Sequence, residues 1–293
     1  MNWFLLAFIS AVFSAASAVS EKKTLFTLSA LDFSFLISIV TLFFSIPFFL
    51  VSDYNNIFSI SILILFLKTI LSAAAFFYVM LSIKNFEISE ALPLLALTPA
   101  LVAISGVIFI NDSLTKLEWL GIFLMAAGTY ILEIKNKNKN IFEPFKDILT
   151  SKKYSYILIA LILFTVTSLL DRLLLKEYKL PPYTFMAFQQ LFYAIIFSIF
   201  VLVSHRNFSK PLKDVNKKIF YLIILVSIFT VIYRYTQIEA TKLAPVALVL
   251  SVKRLSVLMA MILGGKLFKE ANLFRRVAAA VIILIGAAIL MNQ

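Results

Sequence analysis

Two adjacent basic residues, Lys253 and Arg254, interrupt an apolar run in the stretch SVKRLSVL, which starts at Ser251. A charge at the centre of a bilayer costs at least about 2.5–3.5 kcal/mol on insertion scales, so it faces a polar cavity or a partner rather than lipid. Adjacent helix positions point about 100° apart, which lets one cation line a cavity while its neighbour meets another helix. The pair therefore predicts a site that binds an anionic group.

Three further cations, Lys68, Arg172 and Arg234, lie within apolar runs, whereas only two acids, Asp171 and Glu239, do so. A cavity with surplus positive charge favours a substrate that carries a carboxylate or a phosphate. We predict that Lys68 and Arg234 also bind substrate and that the two acids act in coupling or ion pairing. Two alternatives remain: cations near helix ends reach water, or ion pairs only hold helices together.

Amide and aromatic groups accompany these charges. In YRYTQIE, three- and four-residue spacing places Arg234 and Gln237 on one helix face and Tyr235 and Glu239 on another. Such groups bind the polar or planar part of a metabolite, although hydrogen bonding between helices is an alternative role. The substrate-binding candidates of this kind are Gln189, Gln190, Tyr235 and Gln237.

Ten apolar runs must position these residues. Of the 293 residues, 62% are hydrophobic and 14% are charged, against about 25% charged in a soluble domain. Runs of about 20 apolar residues match the helix length that crosses a hydrocarbon layer about 30 Å thick. The predicted spans are 3–20, 31–51, 58–83, 91–110, 117–134, 154–175, 182–204, 219–240, 246–266 and 273–291. We predict an all-α integral membrane protein with ten transmembrane helices, multi-pass in the plasma (inner) membrane of the cell.

A basic segment divides the spans into two sets of five. Residues 1–134 form the first set, 135–153 a linker and 154–293 the second set. Connections after odd-numbered spans hold 18 of the 27 Lys and Arg residues, and the alternate connections hold four. Because basic loops remain in the cytosol, this bias predicts that both chain ends lie outside.

The two sets of spans resemble copies of one unit. An offset of 158 residues aligns Leu92 with Leu250, Gly106 with Gly264, and Gly128 with Gly286, without a gap. Since five is odd, the second copy runs through the membrane opposite to the first. Inverted repeats of this kind occur in secondary transporters, with the substrate site near the midplane.

All six glycines fall in spans 4, 5, 9 and 10. Glycine lets helices approach closely in lipid, so we predict that these spans form a tight central bundle in which Gly106, Gly128, Gly264 and Gly286 are structural. The same offset aligns Asp112 with Glu270, each before a helix. Because acids favour the positive end of a helix, we interpret both as helix caps.

Two stretches carry a family resemblance: SVKRLSVLMAMILGGKLFKEANLFRRVAAAVIILIGAAIL, from Ser251 to Leu290, and ALTPALVAISGVIFINDSLTKLEWLGIFLMAAGTYIL, from Ala96 to Leu132. They resemble the paired units of EamA-type members of the drug/metabolite transporter superfamily. The sequence departs from that pattern where Val257 replaces the proline matched by Pro99. The resemblance implies a ten-helix carrier of small metabolites, often an exporter, that works without ATP hydrolysis.

The predicted function is secondary active transport of a small anionic or zwitterionic metabolite, such as an amino acid or organic acid, by alternating access, with possible proton or ion coupling. The alternative is a flippase for a phosphorylated lipid carrier. Motifs for hydrolytic, metal or nucleotide chemistry are absent, so no enzyme activity, cofactor or metal is predicted. The net charge of +12 sits in short loops, which indicates membrane orientation rather than nucleic-acid binding. The sequence leaves the oligomeric state open.

Overall fold

The structure, a computed structural model, describes residues 2–52, 59–110, 115–133, 152–205, 207–208, 210–244, 246–270 and 272–289. Over these ranges the chain is helical and contains no strand. The α-helices are α1 Trp3–Leu25, α2 Ala30–Val51, α3 Ser59–Asn85, α4 Ile88–Leu95, α5 Thr98–Ile110, α6 Lys116–Glu133, α7 Lys152–Arg172, α8 Pro182–His205, α9 Lys217–Leu243, α10 Val246–Lys253, α11 Leu255–Phe268 and α12 Leu273–Ile289. A π-helical turn, Leu173–Glu177, extends α7, and a 3₁₀ turn, Lys210–Leu212, precedes α9.

The all-α prediction is confirmed, and each predicted span coincides with one helix or with a pair of shorter helices. Six helices, α1, α2, α3, α7, α8 and α9, are individually long and apolar enough to cross a bilayer. Large apolar side chains face outward along the helices, among them Phe43, Phe123 and Val203. This outer surface suits hydrocarbon rather than water.

The fourth predicted span is not one helix. It is broken into α4 and α5 at Ala96 and Leu97, just before Pro99. Proline lacks an amide hydrogen and its ring clashes with the carbonyl four residues earlier, here that of Leu95. The break therefore has a local cause that is visible in the sequence.

The ninth span is broken as well, at Arg254 between α10 and α11. No proline is present there, since Val257 occupies the position 158 residues after Pro99. The Val257 amide donates to the Arg254 carbonyl at 3.0 Å, a three-residue hydrogen bond that tightens the turn. Arg254 itself lies 158 residues after Ala96, so the two breaks fall at the offset that aligns the sequence halves.

Packing pairs helices from the two halves. α1 runs along α9, α3 along α7, α2 along α8 and α6 along α12. α1 buries Ala7, Ala11 and Ala15 at four-residue spacing, and Ala7 packs with Ala240 of α9. A small-residue face of this kind lets two helices approach closely in lipid.

Glycines hold α6 and α12 together. A Cβ atom added to Gly286 would lie 2.5 Å from the Gly121 carbonyl oxygen, and one added to Gly128 would lie 2.6 Å from Ile283. This close approach agrees with the small-residue packing that the glycines predict, whereas no described residue of α6 or α12 lines the polar cavity that lies between the two halves.

Candidate substrate-binding site

A polar cavity of about 150 Å³ lies between the two halves. Its walls come from α1, α3, α4, α7, α8, α9, α10 and α11. Each of the two broken helix pairs contributes residues near its break, Leu95 from α4 and Arg254 between α10 and α11. The charged side chains in the walls are Glu21, Lys68, Asp171, Arg234, Lys253 and Arg254.

Lys253 and Arg254 both line this cavity. The Lys253 ammonium donates to the side-chain oxygen of Gln237 and lies 4.9 Å from the centroid of the Tyr233 ring. The buried Nε of Arg254 has no hydrogen-bond partner. Within the part of the chain that the structure describes, neither cation forms an ion pair, so both positive charges remain available to an anion.

Lys68 and Asp171 connect α3 to α7 across the interior. The Lys68 ammonium lies 2.7 Å from Asp171 Oδ1, and only 1% of the Lys68 side chain is exposed. The contact is a buried ion pair between two opposite charges. The Phe185 ring, with its centroid 4.9 Å from the ammonium, covers another side of Lys68.

Arg234 is held by amides rather than by an acid. One guanidinium nitrogen donates to Gln189 at 2.8 Å, and another makes a long contact of 3.5 Å with Gln237. Because Gln237 also accepts from Lys253, one amide oxygen lies between two cations. Arg234 and Gln237 therefore share the cavity face of α9.

Tyr235 and Glu239 lie on a different face and do not line the cavity. The Tyr235 hydroxyl donates to Glu239 at 2.8 Å. Its ring stacks on Tyr183 and Phe48, with centroids 5.5 Å and 5.1 Å away. Gln190 faces an adjoining chamber instead of the main cavity, and Gln189 contacts that cavity only through Arg234.

Sequence reasoning missed Glu21. The hydropathy window ended the first span at residue 20, whereas α1 continues to Leu25 and carries Glu21 into the cavity wall. The Ser17 hydroxyl donates to its carboxylate at 2.7 Å. The four-residue spacing of Ser17 and Glu21, continuing the polar face of SAASAVSE, was the available signal.

The position of Lys22 also differs from the prediction, which placed this residue in the connection after the first span. It is buried in the last turn of α1, where its ammonium donates to the backbone carbonyls of Ile83 at 2.5 Å and Phe86 at 2.6 Å. Carbonyls at the end of a helix lack partners within that helix, so a cation there is stabilised. Lys22 therefore connects α1 to the end of α3.

Among the described residues, those predicted to be structural lie in different parts of the fold. Glu270 accepts from the Ile88 amide at 2.8 Å and thus caps α4, in the other half of the chain. A Cβ atom on Gly264 would meet Ile88 at 3.0 Å. Gly106 lies within α5, and Asp112 lies outside the described residues.

Four cations and two acids face one cavity in a helical bundle with an apolar outer surface. These features are those of a multi-pass membrane protein with a charged internal cavity. The EamA-like transporter family model matches residues 1–134 and 151–292, nearly the whole chain. The chain therefore belongs to the EamA-like transporter family, and its predicted membership is confirmed.

Two comparisons accompany the family match. An uncharacterized transporter encoded in the cobO 3' region of a Sinorhizobium species is 28% identical over 138 residues, which is 45% of this chain and 97% of the relative. One solved crystal structure, described only as that of a protein, superposes with a TM-score of 0.68 at 14% identity. That superposition covers 98% of this chain and 95% of the other, and it indicates a shared fold.

Proposed function

We propose that the protein is a secondary active transporter that moves a small anionic or zwitterionic metabolite, such as an amino acid or organic acid, across the plasma membrane by alternating access. The observation that carries the proposal is the charge imbalance of the cavity, where four cations face two acids. The Lys68–Asp171 pair uses one charge of each sign. Arg234, Lys253 and Arg254 then face Glu21, so a bound carboxylate or phosphate lowers the remaining imbalance.

The arrangement of helices supports an inverted repeat. The second copy of a five-helix unit has α7, α8 and α9 at the positions of α1, α2 and α3. The contact of α1 with α9 is then equivalent to the contact of α7 with α3, because the repeat exchanges α1 with α7 and α3 with α9. The remaining helix, α2, contacts its own counterpart, α8. The two helix breaks beside the cavity are also separated by the 158 residues that align the two sequence halves. In this proposal the two units rock about the site, as inverted repeats do in other secondary carriers.

Proton coupling, if the carrier uses it, is assigned to an acid that touches the cavity. Glu21 and Asp171 line it, and Glu239 does not. Asp171 is already paired with Lys68, whereas Glu21 accepts a neutral hydroxyl from Ser17. We therefore place Glu21 first among the coupling candidates. Efflux is the proposed direction, on the strength of the family resemblance.

Ligand-dependent thermal stability of the purified protein tests the binding proposal. Amino acids, organic acids, sugar phosphates and nucleotides are screened for ligands that raise the unfolding temperature, as binding to the folded state must do. The screen is repeated on Lys253→Ala and Arg254→Ala, with the exposed Lys242→Ala as the matched control. We expect the anionic ligand shift to disappear in both cavity variants and to persist in the control.

Two outcomes contradict the proposal. A ligand shift of unchanged size in both Lys253→Ala and Arg254→Ala removes these cations from the binding site. A shift produced by a polyprenyl phosphate, but by none of the soluble anions, favours the flippase alternative.

A further inference from the structure

One face of α2 carries a row of hydroxyl groups. Ser34, Ser38, Thr41 and Ser45 are spaced by three or four residues, which places them on the same side of the helix. All four side chains are at most 4% exposed. Leaving a buried hydroxyl without a hydrogen-bond partner costs free energy, so a partner supplied by a ligand stabilises it.

Two of these hydroxyls are bonded to their own helix and two are not. Ser38 donates to the Phe35 carbonyl at 2.7 Å, and Ser45 donates to the Thr41 carbonyl at 2.8 Å. The hydroxyl oxygens of Ser34 and Thr41 have no partner in the described part of the chain. Both residues are almost completely buried, at 0% and 1% exposure.

The two unpartnered hydroxyls face a second chamber. This chamber has a volume of about 110 Å³ and lies between α2, α8 and α9. Gln190 adds an amide to its wall, and its side-chain nitrogen makes only a weak 3.7 Å contact with the Met186 sulfur. No acid lines it, so its described polar groups are neutral except where it meets the cation cavity.

The two chambers share walls. Tyr193, Tyr233, Arg234 and Lys253 line both of them. A small molecule bound to Arg234 and Lys253 through an anionic group can therefore place its other end in the chamber lined by Ser34, Thr41 and Gln190. The hydroxyls of Ser34, Ser38 and Thr41 would then contact the neutral end of that molecule.

We propose that the α2 chamber is a second subsite that binds an uncharged hydroxyl or amide group of the transported anion. The substrate class is thus a small carboxylate or phosphate with a hydrogen-bonding group at its opposite end, rather than one with an alkyl end. This inference rests on the proposed function, because it assumes that the anionic end binds at Lys253. A site built to hydrogen-bond a hydroxyl discriminates strongly against an analogue without one, since its own buried groups then remain unpaired.

Matched ligand pairs test the subsite. The pairs are 4-hydroxybutyrate and butyrate, L-homoserine and L-2-aminobutyrate, and glycerol 3-phosphate and propyl phosphate. Binding is measured from the ligand concentration that raises the unfolding temperature of the full chain. In the unmodified protein we expect the hydroxylated member of at least one pair to act at a concentration roughly five to ten times lower than its partner.

The variants separate this subsite from the cation site. Ser34→Ala with Thr41→Val is expected to remove the preference for the hydroxylated member, and Thr41→Val alone serves if the double variant does not fold. The matched control is Ser82→Ala, another fully buried hydroxyl without a partner that lines neither chamber, and it is expected to retain the preference. Lys253→Ala is expected to weaken the binding of both members equally.

Each remaining outcome overturns a stated claim. If no pair shows a preference, or if the preference survives in the α2 variants, the subsite is disproved, while binding that still depends on Lys253 leaves the proposed function intact. If the preference is also lost in Ser82→Ala, the effect is a general one on stability and the subsite is disproved. If no member of any pair shifts the unfolding temperature while another soluble anion of the wider screen does so through Lys253, the subsite is disproved and the proposed function stands. If no soluble anion in that screen produces a shift, the proposed function fails as well.

Discussion

The ammonium of Lys253 donates to the side-chain oxygen of Gln237, so the first of two adjacent cations is held by a neutral amide rather than by an acid. An amide orients the ammonium without neutralising its charge. The same oxygen lies within 3.5 Å of Arg234. The Gln237 oxygen therefore holds Arg234 and Lys253 close together even though their positive charges repel each other. An anion placed between the two cations is attracted by both.

Gln237→Leu is the first prediction. The substitution keeps the side-chain volume nearly constant but removes the oxygen that orients Lys253 and Arg234. We expect anion affinity to fall by about tenfold, the equivalent of one hydrogen bond to a charged group. The affinity is measured from the rise in unfolding temperature that the tightest-binding anionic ligand produces. Tyr235→Phe, on the face of α9 away from the cavity, is the control and is expected to keep full affinity; equal losses in both variants contradict a specific role for Gln237.

The second prediction concerns the Lys68–Asp171 pair. Lys68→Met or Asp171→Leu alone leaves an uncompensated charge in the interior, and we expect each to lower the free energy of unfolding by about 3–5 kcal/mol. The double substitution removes both charges and is expected to recover most of that loss. Denaturation of the three variants in detergent measures the coupling. Additive losses in the double variant show that the two charges do not interact.

Proton coupling gives the third prediction. If Glu21 carries the coupled proton, Glu21→Gln abolishes the dependence of transport on a pH gradient while substrate binding persists. Glu239→Gln serves as the matched control, because Glu239 bonds to Tyr235 outside the cavity. Uptake into proteoliposomes with and without a pH gradient measures both. A gradient response that survives in Glu21→Gln, or is lost in Glu239→Gln, contradicts the assignment.

The fourth prediction tests helix contacts far from the site. Gly286→Ala places a methyl group 2.5 Å from the backbone oxygen of Gly121, which cannot move without shifting α6. We expect a loss of about 1–3 kcal/mol in unfolding free energy, the usual result of overpacking. Gly264→Ala meets only the tip of the Ile88 side chain at 3.0 Å and is expected to lose less. Equal thermal stability of the two variants contradicts the close α6–α12 contact.

Topology is the subject of the fifth prediction. The chain has no cysteine, so single cysteines report accessibility without background. The charge bias places the connection between α8 and α9 in the cytosol and the turn after α7 outside. A cysteine at exposed Lys218 is then expected to react only with membrane-permeant reagents in intact cells, and one at exposed Lys179 with impermeant reagents too. The reverse pattern inverts the predicted orientation.

The sequence by itself determined the helical class, the approximate spans and the presence of buried cations. These are local properties: the length of an apolar run and the cost of a charge in lipid need no knowledge of neighbouring helices. The break before Pro99 also has a local cause, since proline acts on the carbonyl four residues earlier, but the hydropathy pattern alone predicted one continuous span there. The shared face of Arg234 and Gln237 follows equally from helical periodicity.

Only the tertiary structure decided which polar groups meet. Glu21 and Lys22 were assigned to a loop because hydropathy falls there, yet packing extends α1 and buries both residues. Lys68 meets Asp171 across 103 positions of sequence, and Glu270 caps a helix 182 positions away. Such pairings depend on how helices from the two halves are placed side by side, and no local periodicity encodes that placement.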